Sequence, residues 1–277
     1  MAYLEYGPTQ GETLILLHGI PTSSFLSRDV APRIAQQTGY RVIAVDMLGF
    51  GASDKPKEEG LYTVSQQAKR MYAFADAVGV DHFVLALHDI GGVIGANMLT
   101  LSESKRIDAL LITDTAVKLE GVTPAPLTMQ IFTGEKTPRE VWQPLDSLEF
   151  AEFATRQFLE IGFANDALIT DELLEAYTIP ISQGASEAFV QFFETVGTVL
   201  TDTALDTTFE QFDRPTAIIW GSEDAFFDAD IVPVLFQQSF AVPDSLVTII
   251  DGAGHYIQEE APDAYVKAVS DFLNKAL

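Results

Sequence analysis

Short apolar, β-rich runs recur along the chain at 13–17, 41–45, 83–87, 109–112, 216–220 and 246–250, most of them separated by helix-like segments. Continuous apolar runs of that length suit strands buried on both faces, and their interleaving with helices predicts a parallel sheet covered on both sides. Each run stops at small or polar residues: His18-Gly19, Asp46 through Gly49, His88-Asp89, Thr113-Asp114, Gly221 through Asp224, and Asp251 through His255. In open α/β sheets, ligand chemistry gathers at these carboxyl ends.

The alternation breaks between Ala116 and Leu205. There Phe150, Ala154, Phe158 and Ile161 are spaced as on one helix face, and Phe189, Phe192, Phe193, Val196 and Leu200 form a second stripe. The segment reads as a helical insertion: a core of residues 1–115 and 206–277, and a helical cap of residues 116–205 placed before the last strands. Most of the stripe residues are expected in packing, and some of them on the wall of a cavity beneath the insertion. No internal repeat, low-complexity stretch or long charged linker interrupts the chain, so the cap is expected to be docked on the core.

With 277 residues, 47% of them hydrophobic, the chain can bury a large core and is not a disordered sequence. Its 40 acidic residues against 16 Lys and Arg give a formal net charge of -24, which repels phosphate backbones and anionic lipid; neither nucleic acid nor a membrane is an expected partner. That acidity fits a high-salt habitat or an acidic cytosolic enzyme equally well. The absence of cysteine excludes disulfides, thiolate catalysis and zinc–thiolate sites. His18, His82, His88 and His255 show no HxxxH or HExxH spacing, so no metal and no cofactor are expected. Neither a signal-like N-terminus nor an apolar run of about 18 residues occurs, and the expected location is cytoplasmic.

Asp89 ends one apolar run, and Gly91, Gly92 and Gly95 follow it, so the chain must turn sharply into a helix there. A carboxylate at that place is either a helix cap or a reactive group. The order Asp89, Asp224, His255 is the nucleophile, acid, histidine order of hydrolases whose nucleophile stands on a strained strand-to-helix turn. Five segments carry the likeness: LLHGIPTSSFLSR at 16–28, VIAVDMLGFGASDKP at 42–56, LALHDIGG at 85–92, IIWGSEDAFF at 218–227 and DGAGHYIQEEAP at 251–262. With them in this order the chain resembles an α/β-hydrolase of the branch with an aspartate nucleophile, which contains haloalkane dehalogenases and epoxide hydrolases. The resemblance spans nearly the whole length. It implies the α/β-hydrolase fold, a mostly parallel central sheet flanked by helices with the cap inserted, and a small apolar organic substrate. A monomer and a homodimer are both compatible with it.

The chemistry of Asp89 points the same way. A carboxylate attacking an acyl ester forms an anhydride, which is more activated than the starting ester; attack on a saturated carbon forms an ordinary ester that water can hydrolyse. Alkyl substrates are therefore favoured over acyl ones. His255 is placed to activate that water, and an unperturbed pKa of about 6.5 suits a base that must be neutral. Asp224 is expected to accept a hydrogen bond from His255, with Asp114 as the rival acid. The backbone N–H groups of Ile20 and Ile90 are the expected oxyanion hole. His18 and His88 are expected in structural hydrogen bonds and His82 at the surface.

The leaving group is where the likeness thins. Haloalkane dehalogenases usually hold the halide with Asn or Glu after HG and Trp after the nucleophile, or with Trp from the cap. Both core positions here are Ile, which has no donor, and Trp142 is the one tryptophan of the insertion. Epoxide hydrolases commonly protonate the leaving oxygen with cap tyrosines. The insertion offers Tyr177 alone, with Phe192-Phe193 where another tyrosine often stands. Leu87, two residues before the nucleophile, matches the bulky residue of dehalogenases where epoxide hydrolases commonly have Gly. The expectation is an epoxide hydrolase-like enzyme with Tyr177 and Trp142 at the substrate, a haloalkane dehalogenase with an atypical halide site being the alternative. A ligand-binding protein that has lost turnover and an esterase or lactonase are the lesser readings.

Overall fold

The computed structural model describes residues 1–276. The chain runs through β1 (Tyr3–Tyr6), β2 (Thr13–Leu17), α1 (Val30–Thr38), β3 (Arg41–Val45), α2 (Val64–Ala77), β4 (Phe83–His88), α3 (Ile90–Leu99) and β5 (Ile107–Thr113). Five helices follow without a strand: α4 (Pro126–Phe132), α5 (Pro138–Trp142), α6 (Leu148–Gly162), α7 (Asp171–Ser182) and α8 (Ser186–Leu200). The rest is α9 (Ala204–Glu210), β6 (Thr216–Gly221), α10 (Val232–Ser239), β7 (Val247–Ile250), α11 (Ile257–Glu260) and α12 (Pro262–Ala276).

The strands form one sheet in the order β1-β3-β2-β4-β5-β6-β7, with β1 antiparallel to β3 and every other pairing parallel. This is the mostly parallel sheet expected of the α/β-hydrolase fold. Side chains alternate across it. Leu14, Leu16, Val84 and Ala86 share one core with Ile34 of α1 and Val266 and Val269 of α12; Ile15, Leu17, Leu85 and Leu87 share the other with Met71 of α2 and Ile94 of α3. Two covered faces explain why these runs show no polar alternation. The strand that pattern reading does not find is β1, a half-exposed edge strand.

Every residue of β4 is buried between β2 and β5, and each buried Leu or Val there contributes about 1.5–3 kcal/mol of transfer free energy. The base of the Asp89 turn is therefore a rigid one. Parallel pairing also brings the carboxyl ends of β2, β4, β5, β6 and β7 to a single edge of the sheet, beneath the insertion between β5 and β6. The two aromatic stripes of the sequence fall on α6 and α8. The insertion is docked, since α8 packs against α2 and α3. The expected cap boundary at 205/206 falls inside α9, which packs against α3 and α10 of the core. Among the described residues, no helix is long and apolar enough to cross a membrane.

Candidate active site

Asp89 stands between β4 and α3 with φ 51° and ψ -123°, in the left-handed region that costs a non-glycine residue about 1–3 kcal/mol. Its backbone is clamped there. The Asp89 N–H donates to the Asp114 carbonyl at 3.0 Å, and the Asp89 carbonyl accepts from the Gly92 N–H at 2.9 Å and from Thr115 Oγ1 at 2.5 Å. A side chain at Gly92 would overlap that Thr115 hydroxyl, so the glycine is what lets α3 start so close to the sheet. Although Asp89 precedes α3, its side chain does not cap the helix. The carboxylate instead turns toward the loop after β2, where Oδ1 accepts from the Ile20 N–H at 2.6 Å, and the Ile90 N–H also favours its charged form.

The other carboxylate oxygen, Oδ2, faces Nε2 of His255 at 3.8 Å. That separation exceeds hydrogen-bond length, so Oδ2 is not hydrogen-bonded to the imidazole. Nδ1 of His255 lies 3.1 Å from Oδ2 of Asp224, whose Oδ1 is fixed by the N–H groups of Phe226 at 2.8 Å and Phe227 at 3.1 Å. The His255 N–H donates to Gly162 O at the end of α6, which ties the histidine to the cap. Of the two candidate acids, Asp224 is the one that meets His255; Oδ1 of Asp114 accepts from the Gly221 N–H at 2.9 Å.

Burial sets the charges. It lifts the Asp89 carboxyl above the ordinary carboxylate range, against the pull of His255 and of the Ile20 and Ile90 N–H groups. Burial draws His255 down, but the Asp224 carboxylate and its hydrogen bond, with Asp89 and Glu260 behind them, hold the imidazole above its usual value. His18 and His88 go the other way, both lowered chiefly by burial and both engaged with backbone. Nδ1 of His18 donates to Gly19 O at 2.8 Å while its Nε2 accepts from the Met47 N–H at 3.2 Å; Nε2 of His88 donates to the carbonyl of His255 at 2.9 Å. His82 is exposed and paired with Asp108.

A cavity of about 90 Å³ opens over Asp89. Ile20, Ile90, Phe158, Phe192, Phe193, Phe226 and Phe227 build much of its wall, and Asp89 is the one charged residue on it among the described residues. Neither cap residue expected at the substrate is part of that wall. The Tyr177 hydroxyl donates to Glu259 at 2.6 Å, and its ring lies in a separate cluster with Leu26, Leu159 and Tyr256. Trp142 is fully buried behind the wall, 5.4 Å from Phe193 and 6.1 Å from Phe158, and its Nε1 has no hydrogen-bond partner. Phe226 and Phe227 also line the cavity; their one signal in the sequence is their place in the turn that Asp224 begins. Among the described residues, no group of three or more metal-ligating side chains occurs.

A sequence model of the alpha/beta hydrolase fold matches residues 12–262. The chain is 27% identical over 290 residues to a cis-3-alkyl-4-alkyloxetan-2-one decarboxylase of Xanthomonas campestris, covering 99% of this chain and 92% of that protein. It is 25% identical over 296 residues to epoxide hydrolase 1 of Caenorhabditis elegans, covering 99% and 67%, and 28% identical over 268 residues to haloalkane dehalogenase 2 of Mycobacterium bovis, covering 94% and 87%.

Proposed function

This chain belongs to the alpha/beta hydrolase family, and we propose that it is a hydrolase that works through a covalent alkyl ester on Asp89. One observation carries the reading: a carboxylate, not a hydroxyl, occupies the strained turn, with one oxygen on the Ile20 N–H and a buried histidine 3.8 Å from the other. Oδ2 attacks a saturated carbon of a small apolar substrate and the bond to the leaving group breaks. The ester carbonyl is then Oδ1, already seated on the Ile20 N–H, and the oxyanion forms there, with the Ile90 N–H as the second donor, when water adds. His255 takes the proton of that water through Nε2, Asp224 stabilises the imidazolium, and collapse releases the alcohol and restores Asp89.

The wall narrows the leaving group. An epoxide oxygen departs as an alkoxide unless it is protonated, yet among the described residues no tyrosine, histidine or tryptophan lines the cavity. The epoxide reading thus loses the donor that Tyr177 was expected to supply, and the haloalkane reading loses Trp142. This favours a second reading, a strained four-membered lactone, the ring named in the decarboxylase relative. Attack by Asp89 at the ring's alkyl carbon breaks the carbon–oxygen bond and releases a carboxylate, which needs no proton. Water then gives a hydroxy acid, or loss of CO2 expels Asp89 and leaves an alkene.

The test uses His255→Gln, which cannot activate water, with epoxide, haloalkane and oxetan-2-one panels and mass analysis of the peptide that contains Asp89. The expected result is a stable mass gain from one panel, and that panel identifies the leaving group. Continued release of CO2 and alkene from oxetan-2-ones by His255→Gln would assign the decarboxylating branch. A folded variant that no panel labels or turns over would overturn the covalent reading.

A further inference from the structure

Asp114 is the one buried carboxyl of the site that the mechanism above does not use. It follows β5 directly, with φ 38°, and is fully buried. Its backbone carbonyl holds the Asp89 N–H at 3.0 Å, and its Oδ1 accepts from the Gly221 N–H at 2.9 Å. Its Oδ2 has no hydrogen-bond partner, and the carboxyl adjoins that of Asp224. Were Asp114 ionised, an oxygen with no donor would be buried beside a second carboxylate, an arrangement that low-dielectric surroundings penalise heavily. A proton on Oδ2 removes both costs, because the O–H can donate to Asp224.

We propose that Asp114 is a neutral carboxylic acid that acts as a positioning residue: its O–H donates to Asp224 and holds that carboxylate on Nδ1 of His255. Burial, and after it the Asp224 charge, lifts Asp114 well above the carboxylate range, with Glu260 of α11 adding to the effect and Tyr265 of α12 nearby. The charged and titratable groups that bear on His255 are Asp224, Asp89, Glu260 and His88. One residue thereby fastens the nucleophile through its backbone and the triad acid through its side chain. The inference rests on the reading of Asp224 as the acid of His255.

Asp114→Asn tests it with little risk to folding, since the amide oxygen can keep the Gly221 bond and the amide N–H₂ can replace the O–H. The His255 titration midpoint, followed by NMR, is expected to stay within about 0.3 unit of the wild type. An ionised Asp114 predicts the opposite: loss of a negative charge near the imidazole drops the midpoint by about one unit or more, and that result would overturn the proposal. With ¹³C-labelled aspartate, the carboxyl signal that disappears in Asp114→Asn is expected at its protonated position at pH 7; a carboxylate position overturns the proposal without reference to turnover. Asp114→Val removes the donor and is expected to slow hydrolysis of the Asp89 ester about tenfold while sparing its formation, with Asp114→Asn restoring the rate. Equal losses in both steps, or none, would leave no positioning role. Asp224→Asn serves as the control, because failure of that variant to lower the His255 midpoint would refute the triad reading itself.

Discussion

Tyr177 of the cap donates its hydroxyl to Glu259 of α11 at 2.6 Å, and the same carboxylate is gripped by both terminal nitrogens of Arg28, at 2.6 and 2.9 Å. Glu259 lies four residues after His255, so this pair ties α7 to the segment that carries that histidine. Burial and the Glu259 charge push the Tyr177 hydroxyl well above its usual value, which keeps it protonated and committed to Glu259. Tyr177→Phe is therefore expected to leave Asp89 ester formation within about threefold of the wild type and to cost about 1.5–3 kcal/mol in urea unfolding, the range for a hydrogen bond to a charged group. A variant of undiminished stability that loses ring opening of epoxides would return the hydroxyl to the substrate.

The pH dependence follows from two directions of shift. His255 is held above its usual value in the free enzyme, and Asp89 is one of the charges that hold it there. Alkylation removes the Asp89 charge, so the imidazole of the ester intermediate titrates lower than that of the free enzyme, which favours the neutral base. Ester hydrolysis measured by pulse-chase is expected to fall tenfold per pH unit on its acid side, with a midpoint below the one that NMR finds for free His255. A hydrolysis rate flat from about pH 5 to 8 would remove His255 as the base. Stability has the opposite sign: a raised histidine contributes fully below its unfolded value of about 6.5, and the contribution is lost as pH rises through the folded one.

Much of this architecture is legible in the chain, and what escapes has a physical reason. The runs that form β2 to β6 are readable because both sheet faces are covered, and β7 by its apolar run although it is a partly exposed edge, while β1 is a half-exposed edge whose mixed residues carry no such mark. The stripes on α6 and α8 report a buried face, and Phe158, Phe192 and Phe193 do reach the cavity wall. Tyr177 and Trp142 stand off the cavity wall, a placement the sequence does not reveal because residue type shows what a side chain can do and not where its helix docks. Tyr177 points to a glutamate 82 positions away, a contact that no local pattern encodes. Asp89 and His255 are legible for the converse reason, since each follows a strand end and parallel strands bring their ends together.

Gly19 tests how closely the Asp89 carboxylate is fitted. A Cβ at that position would overlap Cβ and Oδ1 of Asp89. Relief requires the carboxylate to leave the Ile20 N–H, or the loop after β2 to withdraw from it. Gly19→Ala is expected to slow ester formation by about 100-fold or more, the scale of an ångström-sized misplacement, and to destabilise the fold by about 1–3 kcal/mol. Wild-type labelling kinetics in Gly19→Ala would show that Oδ1 need not sit where the structure holds it.

Ile20 supplies the most direct test of what leaves. Its N–H holds Asp89 while its side chain belongs to the cavity wall, so the side chain can be changed with the backbone donor kept. Ile20→Asn places an amide donor beside Asp89 in a wall that is otherwise mostly apolar, Thr123 and Thr128 apart. A hydrogen bond to a charged group contributes about 1.5–3 kcal/mol, so if that bond forms in the transition state, Asp89 labelling by bromoalkanes should accelerate by about 10- to 100-fold. A buried amide without a partner costs about 1–3 kcal/mol, so the resting variant is expected to be less stable, and added bromide should recover part of the loss. Oxetan-2-ones, whose carboxylate leaves with the ring carbon still attached, should gain less. Equal acceleration of all panels would mean that the introduced amide acts on the Asp89 ester and not on the leaving group. No acceleration, with the variant folded and bromide without effect on its stability, would show that the departing group never reaches this side of the chamber.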